Sequence, residues 1–167
     1  MSAAERFRVR DAVADDAVPV SELRARVAAE GRWIGMEAPV DVEGLIRNFH
    51  DVLADDSAHA VVAVDDADTV VGSAGMFTVL PGVIAFGMNV AADSRRQGAG
   101  GLLLRSVLAW SRDRGAHKVI LEVWPHNEAA IGLYTAHGFV REGVRRGHYR
   151  RRNGELWDVV EMGLLLQ

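Results

Sequence analysis

The chain has 167 residues, of which 49% are hydrophobic and 25% charged, and its net charge is −4, a composition typical of one soluble globular domain. It contains no cysteine, which excludes disulfides, thiolate zinc sites and a cysteine nucleophile. No apolar run reaches the roughly 20 residues of a membrane-spanning helix, and the N-terminal segment lacks the apolar core of a signal peptide, so we expect a cytoplasmic protein with a single domain over residues 1–167.

The first half of the chain predicts two helices and an antiparallel meander of strands. The alternating segment Phe7–Asp11 indicates the first strand. Asp15 and Asp16 then precede an amphipathic helix, and we expect them to cap it. After a loop at 31–39 comes a second helix. Three β-rich runs, separated by turns at 65–68 and 81–82, follow it: His59–Val64, Thr69–Leu80 and Val83–Val90.

The second half changes to helical periodicity from Gly98 and keeps it up to Arg114. A strand over Lys118–Trp124 and a helix over Asn127–His137 follow, and Gly138 stands where a helix C′ glycine belongs. Asn153-Gly154 indicates a two-residue hairpin turn between the last two strands. The whole order predicts an α/β fold with a mixed central sheet of about seven strands and about four helices.

A glycine-rich loop between the strand ending at Val90 and the next helix is the most informative segment. Glycines allow backbone N–H groups to approach a ligand closely, and a helix N-terminus attracts anions. With Arg95 and Arg96 beside them, Gly98, Gly100 and Gly101 therefore indicate a pyrophosphate site. The Lys-Ser/Thr of a P-loop and a GxGxxG motif are missing, which disfavours nucleotide triphosphatases and dinucleotide oxidoreductases. A plain glycine-rich entry into a helix is the alternative.

Two blocks, in order, resemble the GCN5-related N-acetyltransferases (GNAT superfamily). The first is Arg95-x-x-Gly98-x-Gly100, five residues after Val90. The second is Leu121-Glu122-Val123, followed by Asn127-x-x-Ala130-x-x-Leu133-Tyr134-x-x-x-Gly138-Phe139. The resemblance implies a GNAT fold whose sheet splays between the strands ending at Val90 and Val123. It also implies acetyl-CoA as co-substrate, no metal, and acetyl transfer to a primary amine; without a cysteine, direct attack in a ternary complex is favoured.

The resemblance also implies roles for individual residues. Tyr134 would be the general acid for the CoA sulfur, although a core aromatic residue is the alternative. Asn127, which is also a natural helix cap, would contact the pantetheine, and the small Ala130 would let it pass. Backbone amides near Asn89 and Val90 would hold the thioester. The pyrophosphate would be bound by Arg95, Arg96, Gln97, Gly98, Ala99, Gly100 and Gly101.

The base and the acceptor stay open. Glu122 resembles the glutamate that acts through water in protein N-terminal acetyltransferases, and Glu37, in the loop after the first helix, is a rival base. Trp33 and Glu37 are candidates for the acceptor pocket. A small-molecule amine and a protein N-terminus both fit, and a homodimer is expected by family analogy alone.

Two further features define the remaining alternatives. The six histidines lack metal-ligand spacing, and we expect no metal site. Residues 93–167 carry a net charge of +4 against −8 for residues 1–92, with an arginine cluster over Arg141–Arg152 that indicates either an anionic partner or a solvated strand face: Arg141, Arg145, Arg146, Arg150, Arg151 and Arg152. A non-catalytic acyl-CoA sensor is the first alternative to an enzyme, and a nucleic-acid binder is the second.

Overall fold

The structure, a computed structural model, describes residues 2 and 6–167. Over these residues the chain forms four α-helices and seven strands. The helices are α1 (Ala17–Ala29), α2 (Val42–Ala54), α3 (Ala99–Asp113) and α4 (Glu128–Ala136). The strands are β1 (Arg8–Asp11), β2 (Ala58–Val64), β3 (Val70–Leu80), β4 (Val83–Val90), β5 (Lys118–Val123), β6 (Val140–Arg150) and β7 (Leu156–Leu165).

All seven strands belong to one sheet, in the order β1-β2-β3-β4-β5-β7-β6. Every neighbouring pair is antiparallel except β4 and β5, which run parallel. These two strands pair only from Val83 and Lys118 to Ala85 and Ile120. Beyond that point β4 and β5 diverge, so the middle of the sheet opens towards the carboxyl ends of both strands. The mixed sheet and its central splay are thereby confirmed.

The helices cover the two faces of the sheet with separate apolar cores. On one face, α3 and α4 pack through residues such as Leu103, Val107 and Tyr134 against strand residues that include Met76 and Phe86. On the other face, α1 and α2 pack through Leu23, Val27 and Phe49 against Val62 and Val64. The gap between β4 and β5 therefore connects a face covered by α3 and α4 with a face covered by α1 and α2.

Local signals explain most element ends. Gly138 follows the last turn of α4 with a φ of 91°, as the expected C′ glycine does. Asp16 stands at the N-cap position of α1, as expected, but its side chain makes no capping hydrogen bond, because its carboxylate accepts hydrogen bonds from the Val13 N–H and from Arg10 instead, at 2.7–2.9 Å. Burial alone would raise the pKa of Asp16, but these hydrogen bonds outweigh it, so the pKa lies below its ordinary value.

The last hairpin has a three-residue turn where the sequence indicated two. Arg151 donates its backbone N–H to the Glu155 carbonyl at 2.8 Å, and the loop between them is 152–154. Gly154 adopts a φ of 90°, the left-handed position that such a turn requires.

None of the helices in the described part of the chain combines the length and the apolar character needed to span a bilayer.

Candidate active site

One cleft of about 1090 Å³ passes through the gap between β4 and β5. On the α3 and α4 side it is lined by Gly98, Gly100, Asn127, Ala130 and Tyr134. On the α1 and α2 side its walls include Arg24, Trp33, Asn48 and Phe49. The cleft thus joins the segment expected to bind a pyrophosphate to a second chamber on the opposite face of the sheet.

The glycine loop has the geometry of an anion cradle. Gly98 is the N-cap of α3 and has a φ of 97°, a conformation that favours glycine. The first-turn N–H groups of a helix have no partner inside the helix, and here Gly98, Gly100 and Gly101 border the cleft at that point. A Cβ on Gly100 would lie 3.3 Å from the Leu133 Cδ2 atom. Because the three glycines carry no side chain, the N-terminus of α3 is accessible from the cleft.

The polar side chains of this loop differ in what they contact. Arg96 lines the cleft, has a φ of 58°, and has no ion-pair partner among the described side chains. Gln97 is turned away: its amide bonds to Arg6 and, at 2.6 Å, to the Asp93 carbonyl. Ala99 is 1% exposed and packs in the core. Gln97 and Ala99 thus direct no side chain into the cleft and are left to contact a ligand through their backbone alone.

Arg95 also lines the cleft, but its guanidinium is already engaged. Both of its terminal nitrogens bond to the Glu30 carboxylate at 2.7 Å, and its Nε donates to the Val90 carbonyl at 2.9 Å. The hydrogen bond from Arg95, aided by one from the Trp33 indole at 2.7 Å, holds the pKa of Glu30 below its usual value. Arg95 therefore ties the glycine loop to the end of α1, a different set of contacts from the pyrophosphate role implied by the resemblance.

Tyr134 lies at the gap, on the buried side of α4. It is 6% exposed and its ring meets those of Phe86 and Phe139 at centroid distances of 5.8 Å. No described residue bonds to its hydroxyl, which opens into the cleft. Burial raises the pKa of Tyr134 well above its ordinary value of 10.0. The phenol is therefore a protonated donor without a protein acceptor throughout the physiological pH range.

Glu122 projects from β5 into the same cleft. Its Oε2 accepts a hydrogen bond from the Tyr149 hydroxyl at 2.6 Å, and its Oε1 is paired with Arg145. Arg145 also contacts Glu161 at 3.1 Å, the residue opposite Glu122 in the β5–β7 ladder. Glu122 is therefore a carboxylate whose two oxygens are both occupied, and a proton acceptor there needs one of these contacts to open.

The remaining residues expected to hold the cofactor also border the cleft: Asn89, Val90, Asn127 and Ala130. Asn127 is the N-cap of α4, as expected, and accepts the Ala130 N–H at 3.2 Å. The side-chain oxygen of Asn89 is buried and has no hydrogen-bond partner. An unpaired buried acceptor costs free energy, so this atom fits a site whose ligand brings an N–H group.

The two candidates for the acceptor pocket separate in the structure. Trp33 lines the cleft, whereas Glu37 borders a second, smaller cavity of about 500 Å³. The Glu37 carboxylate accepts the Arg152 backbone N–H at 3.1 Å and lies 3.6 Å from the Arg151 Nε. Glu37 is therefore bound to the β6–β7 hairpin, and the structure does not bring it to the cleft in which a base would act.

The arginine cluster is partly internal. Arg151 is 4% exposed, lies over the Trp157 and Trp124 rings at 4.3 and 5.4 Å, and donates to the Gly35 carbonyl at 3.0 Å. Arg152 binds the Ala38 carbonyl at 2.5 Å. The hairpin thus holds the loop 31–39 that follows α1. Arg151 and Arg152 therefore serve the fold, whereas the exposed Arg141, Arg146 and Arg150 on β6 fit the expected solvated strand face.

Three residues at the cleft were not predicted from the sequence to belong to the site. Arg24 and Tyr149 line it, and Arg145 pairs with Glu122. Tyr149 and Arg145 are only recognisable once the register of β6 on β7 is known, since it brings them to Glu122. The sequence does contain a local signal for Arg24, because it is the one charged residue that shares a helix face with Val20 and Val27.

Over residues 2 and 6–167, no three histidine or carboxylate side chains come together as a metal site.

Comparisons with known proteins agree with this geometry. The sequence profile of the "Acetyltransferase (GNAT) family" matches residues 25–139. Over 86 residues the chain is 37% identical to the "[Ribosomal protein bS18]-alanine N-acetyltransferase" of Escherichia coli, a match covering 52% of this chain and 57% of that protein.

Solved structures share the fold over nearly the whole chain. The ribosomal-protein-alanine N-acetyltransferase of Brucella melitensis superposes with a TM-score of 0.85 at 22% identity, over 95% of this chain and 99% of the other. A GNAT superfamily phosphinothricin acetyltransferase of Sinorhizobium meliloti, solved with AcCoA, gives 0.86 at 21%, over 96% and 88%. The profile match extends over more than half of the sequence, and the chain therefore belongs to the GNAT family of acetyltransferases.

Proposed function

We propose that the chain transfers the acetyl group of acetyl-CoA to a primary amine, by direct attack within a ternary complex. The observation that carries this proposal is the single cleft through the splayed sheet. It joins the open α3 N-terminus on one face to a chamber on the other, with the Tyr134 hydroxyl between them. The proposed acceptor is a small-molecule amine or a protein N-terminus, and the named relatives support an amine of one of these two kinds.

Different residues along the cleft bind different parts of acetyl-CoA. The backbone N–H groups at Gly98, Gly100 and Gly101, with the Arg96 guanidinium, bind the pyrophosphate. Asn127 and Ala130 border the pantetheine arm, and β4 offers backbone groups at Asn89 and Val90, beyond its pairing with β5. When bound there, acetyl-CoA supplies an activated thioester carbonyl.

The transfer itself needs three proton movements, because the nitrogen of the ammonium loses two protons on the way to the amide and the departing sulfur gains one. An alkylammonium with a pKa near 10 is mostly charged at pH 7, so the amine must lose a proton before its lone pair can form the C–N bond. Glu122 accepts this proton directly or through water, once an oxygen is released from Tyr149. As the C–S bond breaks, the Tyr134 hydroxyl donates a hydrogen bond and then a proton to the departing sulfur, and the second proton of the attacking nitrogen passes to the Tyr134 oxygen, which restores the phenol and leaves a neutral amide. The Tyr134 phenol therefore acts as acid because burial keeps it protonated.

A non-catalytic acyl-CoA sensor would need the glycine loop but neither of these proton groups. The unpaired Tyr134 hydroxyl and the Glu122 carboxylate lie in the same cleft as the loop, which favours an enzyme. Tyr134→Phe distinguishes the two functions. In an enzyme, it lowers kcat by about 10²–10⁴-fold, the usual contribution of a general acid, and leaves the Kd for acetyl-CoA within about twofold.

The binding part of the proposal is tested by calorimetric titration of acetyl-CoA. Gly100→Glu places a carboxylate in the cradle and is expected to abolish binding. Gly132→Glu adds the same charge on the exposed surface of α4, with no atom within 4 Å of its Cβ, and is expected to bind like the wild type. Absence of binding to the wild-type protein, or equal binding by all three, would reject the assignment of the glycine loop.

A further inference from the structure

Arg24 lies on the α1 face that borders the cleft. It follows Val20 by four residues and precedes Val27 by three, a spacing that places the three side chains on one helix face. All three line the cleft. Because α1 covers the sheet face opposite to α3 and α4, Arg24 belongs to the chamber beyond the gap, on the acceptor side.

The Arg24 guanidinium is partly buried and has no protein partner. No described residue makes a hydrogen bond or an ion pair with it. Burial lowers the pKa of Arg24 below its ordinary value, and no neighbouring carboxylate opposes this effect. Removing a charge from water without a compensating partner costs free energy. A ligand that brings an anion to this position would recover that cost.

The phosphates of acetyl-CoA have another place in the cleft. Their proposed site is the N-terminus of α3, on the other face of the sheet, where Arg96 supplies an unpaired cation. Arg95, the third arginine that lines the cleft, already binds Glu30. Among the described residues that line the cleft on the α1 and α2 side, Arg24 is therefore the cation without an anion.

We infer that the acceptor is a small amine that also carries a carboxylate, and that Arg24 binds this carboxylate. The inference rests on the proposed function, since it names the class of amine that the same site takes. The planar guanidinium matches a carboxylate in a bidentate geometry. Arg151 and Arg152 fasten the loop after α1 to the β6–β7 hairpin, which favours a compact acceptor such as an amino acid over an extended peptide.

The experiment compares acids with their matched amides as acceptors. L-Methionine, L-phenylalanine and β-alanine are each paired with the corresponding amide, which keeps the amine and removes the negative charge. CoA release gives kcat/KM for the wild type, Arg24→Lys, Arg24→Gln and the control Arg26→Gln. Arg26 is on the same helix, is exposed, and does not line the cleft. Acetyl-CoA affinity is measured in parallel by calorimetry.

We expect at least one acid to exceed its amide by about tenfold to a hundredfold in the wild type, as for a charge-assisted hydrogen bond. Arg24→Gln should reduce this ratio to within about twofold, Arg24→Lys should retain part of it, and Arg26→Gln should retain all of it. The inference is overturned if the wild type accepts amides as well as acids. It is also overturned if Arg24→Gln keeps the ratio, or weakens acetyl-CoA binding instead.

A binding measurement covers the case in which none of these amines is acetylated. N-Acetyl-L-methionine and N-acetyl-L-methioninamide are titrated into the CoA complex of the wild type and of Arg24→Gln. Binding of the acid alone, lost in Arg24→Gln, supports the carboxylate site, and binding of neither or of both equally rejects it. Transfer to no amine, neutral ones included, despite tight acetyl-CoA binding counts against the proposed function, so the two failures are distinguishable.

Discussion

Replacing Arg151 by Met tests whether the β6–β7 hairpin holds the loop after α1. Arg151 is almost fully buried between Trp124 and Trp157 and donates a hydrogen bond to the Gly35 carbonyl. Its Nε also lies 3.6 Å from the Glu37 carboxylate. Methionine keeps much of the apolar contact with the two indole rings but removes the charge and every donor.

The expected loss follows from these contacts. A buried hydrogen bond from a charged donor contributes about 1.5–3 kcal/mol, and each cation–π contact about 0.5–2 kcal/mol when desolvated. Methionine restores part of the second contribution through its contact with the rings. We therefore expect Arg151→Met to lower the free energy of unfolding by about 3 kcal/mol, which corresponds to a Tm lower by about 6–12 °C for a chain of this size.

The assay is urea unfolding, together with KM for any acceptor that the wild type uses. Arg150→Met is the matched control, because Arg150 is the preceding residue, is exposed, and has no ion-pair or hydrogen-bond partner in the described part of the chain. We expect the acceptor KM to rise in Arg151→Met, since the loop carrying Gly35 is released, and the acetyl-CoA Kd to stay unchanged. A loss of unfolding free energy below about 1 kcal/mol, or an equal loss in both variants, would refute the conclusion that Arg151 holds the loop after α1.

Three further outcomes are expected. Asp16→Asn breaks a partly buried, charge-assisted pair with Arg10 and should cost about 1.5–3 kcal/mol, measured by urea unfolding with the exposed Asp15→Asn as control. Because the folded pKa of Asp16 is depressed, the difference should persist above about pH 4 and shrink as the pH falls below it. Tyr134, whose pKa is raised, should cause no alkaline fall in kcat below about pH 10, and a fall there that Tyr134→Phe abolishes would contradict its assignment as acid. Glu122→Gln should flatten the acidic limb of the pH–rate profile while Glu37→Gln leaves it intact, and the reverse result would exchange the two candidate bases.

The elements and the glycine loop could be predicted because their signals are local. The spacing of Gly98, Gly100 and Gly101 after a strand follows from what a helix N-terminus needs, and Gly138 from what a helix end needs. The splay of the sheet came from the resemblance, and the three-residue pairing of β4 with β5 confirms it. Most predicted element ends differ from the structure by one residue, which is the usual uncertainty of helix and strand ends.

The partners of charged side chains could not be predicted, since they depend on contacts between distant segments. Arg95 binds Glu30, 65 residues away, and Arg151 binds Gly35, 116 residues away. Both arginines were expected from sequence to meet an external anion or solvent. Arg24 shows the converse: its spacing places it on the helix face of Val20 and Val27, but the absence of a partner depends on distant segments and is not visible in the sequence.

The two faces of the sheet explain why one half of the reaction was easier to infer than the other. The proposed cofactor side is built from consecutive segments, the end of β4 with α3 and the end of β5 with α4, so its residues appear as two compact motifs. The proposed acceptor side combines α1, α2, the loop after α1 and the β6–β7 hairpin, segments that lie far apart in the sequence and meet through contacts such as that of Arg151 with Gly35. Substitutions on the α1 and α2 face should therefore change which amine is used while leaving acetyl-CoA affinity intact, because the phosphate cradle and this chamber share only the gap between β4 and β5.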